Sequence, residues 1–186
     1  MPWKYIVPGI LVLVLIWLFS GYNGLVSQRE TVDNKWNQVE TQYQRRFDLV
    51  PNLVSTVKGA ANFEQSTFTA IAEARSQWQG AAGNRTAQVG AAQSLDSALS
   101  RLILTVEAYP QLQATQAFRD LMTQLEGTEN RIAVARKDYN DAVRDYNVRV
   151  KSFPTNVLAG MFGFTAEKGF EASQAASSAP SVNFQQ

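Results

Sequence analysis

Residues 5–22 read YIVPGILVLVLIWLFSGY, a run without a charged side chain. Wound as a helix at ~1.5 Å per residue, its roughly 18 residues reach about 27 Å, close to the ~30 Å hydrocarbon core of a bilayer. The stretch is therefore read as a single membrane span, residues 1–24 forming an anchor from which the polar-faced remainder hangs. Trp3 and Tyr5 at one end, and Tyr22 at the other, stand where interfacial aromatic anchors stand. Pro8 falls in the first turns, where its missing N–H costs little. A cleaved signal sequence would need small residues just before the cut, and both Phe19-Ser20-Gly21 and Tyr22-Asn23-Gly24 place a bulky one there, so the anchor is expected to be retained. Lys4 on one side competes with Arg29 and Lys35 on the other, which gives only a slight lean to a cytoplasmic C-terminal domain.

With the anchor set aside, about 150 residues remain, one domain of ordinary size able to bury a continuous core. The formal net charge is +1 with acids and bases interspersed, so there is no basic stripe for a phosphate backbone and nucleic acid is not an expected partner. The 186 residues include no cysteine and no histidine. Disulfides are thereby excluded, and with them goes the commonest general base and transition-metal ligand. Neither a Gly-rich phosphate cradle nor a serine nucleophile motif is present, and the loops carry too few carboxylates for a Ca²⁺ or Mg²⁺ site. No catalytic, cofactor-binding or metal-binding residues are therefore assigned.

Beyond Leu25 the apolar positions run Val32, Trp36, Val39, Tyr43, Phe47, Val50, Val54 and Val57, three or four apart, with polar residues between them. This predicts an amphipathic helix continuing the span, interrupted only by Gly21, Asn23 and Gly24. Pro51 removes the bond to the Phe47 carbonyl, which predicts a kink near Leu49 and no stop, since the stripe goes on. A turn is expected at Gly59-Ala60-Ala61-Asn62, then a shorter helix marked by Phe63, Phe68, Ile71, Arg75 and Trp78, and a loop from Gly80 to Asn84. Ala92, Leu95, Leu99, Leu102, Val106 and Tyr109 mark a third helix ended by Pro110. A fourth is expected from near Leu112, through Phe118, Leu121, Leu125, Ile132, Tyr139, Val143, Tyr146 and Val150, to Phe153-Pro154. The fold class is all-α: an antiparallel bundle of about four helices over residues 25–152, an aromatic and glycine-rich segment over 153–171 packing at the bundle end or the membrane, and an Ala/Ser/Gln tail over 172–186 that reads as disordered.

Two blocks resemble the LemA family. One is VDNKWNQVETQYQRRFDLVPNLVSTVKG, Val32 to Gly59, with the core Arg45, Arg46, Asp48, Leu49, Pro51, Asn52, Leu53 and Val54. The other contains Glu129-Asn130-Arg131-Ile132, Ala135-Arg136, Tyr139-Asn140, Tyr146-Asn147, Phe153-Pro154 and Gly163-Phe164. Tyr109-Pro110 with Leu112 and Ala114 resembles the family's middle turn, and Pro180, Val182 and Phe184 its ending. The resemblance implies a single-pass bacterial inner-membrane protein with a helical-bundle domain and no catalytic activity that carries over.

Several residues stand out as candidates for interaction. Arg45, Arg46 and Asp48 precede the proline kink, where they would either contact a partner or, as the commoner outcome, form an Arg45–Asp48 pair across one turn; Asn52 would cap the second half of the kinked helix. Tyr139-Asn140 and Tyr146-Asn147 are seven residues apart. They would line an inter-subunit seam, or the tyrosines would be core residues with hydroxyls at the bundle edge. Glu129, Arg131 and Arg136 read as a solvated face. Phe162 and Phe164, with Met161, would fold back over the bundle end, enter the bilayer surface or meet a neighbouring subunit. The leading expectation is a membrane-anchored structural protein in contact with lipid, assembling with copies of itself through coiled-coil-like helices; the alternative is an anchored adaptor for an unidentified peptide or signalling partner.

Overall fold

The computed structural model describes residues 3–60 and 65–170. Of the turn expected at Gly59 to Asn62, Gly59 and Ala60 are instead the last residues of α1, while Ala61 and Asn62 lie outside the described residues, as do Phe63 and the tail with Pro180, Val182 and Phe184. Among the described residues the fold is all-α, with no strand: α1 (Trp3–Ala60), α2 (Gln65–Gly80), α3 (Arg85–Val106), α4 (Pro110–Gln113), α5 (Gln116–Lys151) and α6 (Thr155–Phe162).

α1 is one helix of 58 residues. Its N-terminal part is long and apolar enough to cross a membrane, and none of that apolar window is buried by the rest of the chain. From Leu25 the stripe turns inward: Val32, Trp36, Val39, Tyr43, Phe47, Val50, Leu53 and Val57 are all buried. Burial of each large side chain on such a stripe contributes about 1.5–3 kcal/mol before conformational entropy is counted. The helix runs through Pro51, which sits exposed while Leu53 and Val57 continue the stripe. Asn52 therefore caps nothing; it lies inside the helix, where its carbonyl accepts the Thr56 hydroxyl at 2.9 Å.

The two glycines that interrupt the sequence pattern are places of close approach, not breaks. A Cβ at Gly21 would stand 2.4 Å from Leu158 Cδ1, and one at Gly24 would stand 2.1 Å from Arg149 Nη2. α6 and the end of α5 thus seat directly on the α1 backbone.

α5 packs along α1, and α2 along α3. In α2 the buried residues are Phe68, Ile71, Ala74 and Trp78; Ala74 takes the place expected of Arg75. Gly83, with φ +81°, turns the chain where L side chains are disfavoured, and the Asn84 side chain caps α3 by accepting from the Ala87 N–H at 3.1 Å. The fourth long helix begins at Gln116, later than the expected Leu112. Pro110 starts a separate turn, α4, whose Gln113 amide donates to the Val106 carbonyl at 3.2 Å, and Thr115 then caps α5 with a 3.4 Å bond from the Phe118 N–H. Gly163, at φ +73°, ends α6 in a Schellman arrangement in which the Phe164 N–H reaches the Ala159 carbonyl at 2.9 Å. The chain then runs without helix as a strap, residues 164–170, back along the bundle.

Candidate functional site: a clamped strap over an ion-paired core

Asn140 and Asn147 lie on α5 beside the buried Tyr139 and Tyr146. Each asparagine uses both ends of its amide on one residue of the strap. Asn140 donates to the Phe170 carbonyl at 3.1 Å and accepts from the Phe170 N–H at 2.8 Å. Asn147 donates to the Glu167 carbonyl and accepts from the Glu167 N–H, both at 2.8 Å. Between them the Tyr139 hydroxyl donates to the Lys168 carbonyl at 2.9 Å. The spacing has a simple geometric cause: seven helical residues at ~1.5 Å and three extended residues at ~3.3 Å both advance about 10 Å, so two amides two turns apart meet every third residue of an extended chain. The asparagines hold this chain's own strap. The tyrosines are core residues, and burial pushes both phenols above their ordinary value.

The strap ends on an aromatic seat. The Phe170 ring lies 5.9 Å from Trp36, nearly parallel at 21°, and meets Tyr139 edge-on at 5.8 Å, with the Arg136 guanidinium 5.1 Å from its centre. Gly169 lets the backbone come close, since a Cβ there would stand 2.7 Å from Asn140 Oδ1. Arg85 of α3 pins the strap from the other side, paired with Glu167 at 3.6 Å and with Asp33 of α1, its cation 5.9 Å from the Trp36 ring.

Beneath the strap, α1, α3 and α5 are joined by charged groups. Arg46 is buried and bonds Asp96 at 2.9 Å and Glu129, while Arg136 bonds the other oxygen of Asp96 at 2.6 Å. The Tyr43 hydroxyl donates to Asp96 at 3.4 Å, and Arg136 stands 5.2 Å from the Tyr43 ring. Arg136 is therefore not on the solvated face expected of it; Glu129 is exposed yet paired with Arg46, and Arg131 is simply exposed. Desolvation pushes the Asp96 carboxyl up to about 6, against the pull of Arg46 and with a further push from Glu129, while burial lowers the Arg136 guanidinium. Gln88 to Glu40 at 2.6 Å and Lys35 to Asp138 at 2.9 Å extend the row along α1. Such a knot keys the register of three helices, because breaking one partner leaves another charge short of its counter-ion.

Of the α1 candidates, only Arg46 enters this arrangement. Arg45, Asp48, Pro51 and Asn52 are exposed, and Asp48 accepts from the Gln44 amide at 3.0 Å instead of pairing with Arg45. Phe153 and Pro154 lie exposed at the turn between α5 and α6. Phe162 and Phe164 fold back onto Tyr22 of α1, edge-on at 4.9 and 5.9 Å. Asp96, Arg85, Gly169 and Phe170 carry much of the site without having been singled out. The only sequence signal for them was the seven-residue Tyr-Asn repeat, which marks a helix face able to take an extended chain.

The LemA family model matches residues 35–184. A magnetosome protein MamQ 1 of Paramagnetospirillum magneticum and the MamQ of Magnetospirillum gryphiswaldense are each 30% identical over 83% of this chain, which spans 66% of their length. The protein LemA of Metamycoplasma hominis is 24% identical over 82% of this chain and 69% of its own. With the family model covering most of the sequence, the chain belongs to the LemA family.

Proposed function

We propose that this LemA-family protein is a non-enzymatic structural protein, anchored in a bacterial inner membrane by α1, whose bundle assembles with copies of itself and organises the membrane around it. The observation that carries this reading is the single α1 helix, whose outward-facing apolar stretch passes without a break into the inward-facing stripe of the bundle. A bundle on a flexible linker would be uncoupled from the bilayer; here the orientation of the span and of the domain are one quantity. An exposed apolar surface of that size is not sustained in water and calls for lipid around it. Likeness to LemA and to magnetosome proteins supports a membrane-associated role without catalysis. Leu104 on α3, and Val134 and Val148 on α5, stand exposed on outer faces where a second bundle would bury them. The slight excess of basic residues beyond the span favours a cytoplasmic bundle. Light scattering on the detergent-extracted protein tests the assembly: a discrete homo-oligomer is expected, and a monomer would overturn it.

The clamp favours a second reading, that of an anchored adaptor. Asn140 and Asn147 bond only backbone atoms, so their geometry suits any extended peptide that displaces the strap. A monomer that retains another polypeptide on extraction would support it.

A further inference from the structure

α6 presents an apolar surface that the core does not use. Leu158 and Ala159 are buried against Leu25, with Leu18 and Phe164 packed on them. Phe153 ahead of the helix, and Val157 and Met161 one turn apart upon it, remain 84%, 51% and 70% exposed, and Phe162 covers Tyr22 with one edge while staying 53% exposed. Between Lys151 and Glu167 the sequence carries no charge.

The height of α6 along α1 is set by the close approach at Gly21 and by the ring contacts at Tyr22. Leu18 belongs to the outward-facing apolar run, and Leu25 is the first α1 residue buried in the bundle. α6 therefore straddles about 10 Å of α1 at the point where the span gives way to the domain. Basic groups lie at the same level: Arg149, whose guanidinium reaches Gly24, and the exposed Lys151 closing α5. Asp145 and Glu30 are the nearby acids on these two helices, and both lie farther from the span than Arg149 and Gly24 do. An apolar face continuous with the span and bordered by cations matches the boundary between acyl chains and anionic headgroups.

We propose that α6 is an interfacial helix: Phe153, Val157, Met161 and Phe162 lie in the headgroup region of the bilayer that α1 spans, with Lys151 and Arg149 toward lipid phosphates. This deepens the anchored reading and rests on it. The domain then touches the membrane at two places, which stops the bundle from swivelling about the α1 axis.

The chain has no cysteine, so single probes can be placed cleanly. Met161→Cys, Ile10→Cys and Ser97→Cys variants of the full chain, each carrying an environment-sensitive fluorophore, are reconstituted in phosphatidylcholine/phosphatidylglycerol vesicles containing nitroxide at the headgroup or deep in the acyl chain. At Met161 the headgroup nitroxide is expected to remove most of the emission while aqueous iodide has little effect. Ser97, exposed on α3, should answer only to iodide, and Ile10 only to the deep nitroxide. If Ile10 is deep while Met161 behaves like Ser97, the anchor stands and the interfacial helix is overturned. If Met161 is shielded from iodide and from both nitroxides, a protein surface covers it and the proposal is equally overturned. If Ile10 itself answers to iodide, the anchored reading fails and takes the proposal with it.

Discussion

Replacing Asn140 with alanine should release the end of the strap. The substitution removes two hydrogen bonds, one given to the Phe170 carbonyl and one received from the Phe170 N–H. At about 0.5–1.5 kcal/mol each, the pair contributes about 1–3 kcal/mol, or a factor of roughly 5 to 150 in the equilibrium for local opening. The fold should survive, because Asn140 is only half-buried and the core residues Tyr139 and Val143 are untouched. Amide hydrogen exchange in detergent reads the effect directly, since the Phe170 and Glu167 N–H groups are the ones the asparagines hold. Asn140→Ala should accelerate exchange most at Phe170, and Asn147→Ala most at Glu167, with Asn156→Ala on the exposed face of α6 as the reference. If neither variant exchanged faster at these amides than the reference, the clamp would contribute nothing and the strap would be held by the Phe170 ring alone. Equal loss at both amides in both variants would refute two separate clamps.

Leu99→Ala and Leu102→Ala should each lower unfolding stability by about 2–5 kcal/mol in denaturant titrations, because both side chains are fully enclosed and truncation leaves a cavity. Gln124→Ala is the silent reference, since Gln124 is exposed on α5. Gly21→Leu should destabilise by about 1–3 kcal/mol in thermal melts, because the new side chain collides with the buried Leu158, whereas Gly24→Ala meets only the movable end of Arg149; equal melts would place α6 elsewhere. With its pKa raised from 3.8 to about 6, Asp96 binds its proton more tightly folded than unfolded, so its contribution is full below pH 3.8 and lost as pH rises through 6. The stability of wild type minus that of Asp96→Asn should therefore fall between pH 4 and 6.5; a rise would show that Arg46 and Arg136 outweigh desolvation.

The helices were legible where their cause is local. The three-and-four spacing of Val32 to Val57 and of Ala92 to Val106 states the buried face of α1 and α3 without reference to any other helix, and both faces are buried as read except at Val54, which is half-buried while its neighbour Leu53 is enclosed. The fourth helix was placed too early because Leu112 fits the period, although Pro110 and Thr115 make it a separate turn. Which polar residues would be drawn inward was not legible. Arg46, Asp96 and Arg136 lie next to buried positions on three helices, and whether such a residue meets water or a counter-ion depends on the neighbour across the groove. Gly21 and Gly24 were ambiguous for a similar reason, since a glycine that weakens a helix and one that admits a neighbour look alike in a sequence. The strap has no period at all, and only its partners on α5 announced it.

These features combine into one mechanical arrangement. From Leu25 to Val57 the buried part of α1 extends about 48 Å at ~1.5 Å per residue, so under the anchored proposal a domain built on it would stand away from the bilayer as a post. A single post fixes tilt but leaves rotation about its own axis free. α6 seats against α1 at Gly21, off that axis, and the strap that leaves α6 runs back up the post to Trp36, where Asn147, Tyr139 and Asn140 hold it in turn. The base of the domain and its ion-paired middle are thus tied by one extended segment as well as by α1 and α5. A displacement of α6 would have to break the clamp or carry it along. The strap amides should therefore report events at the base, and loss of protection at Glu167 in Gly21→Leu, with Asn147 intact, would show the two ends to be coupled; full protection there would show that the strap is held independently of α6.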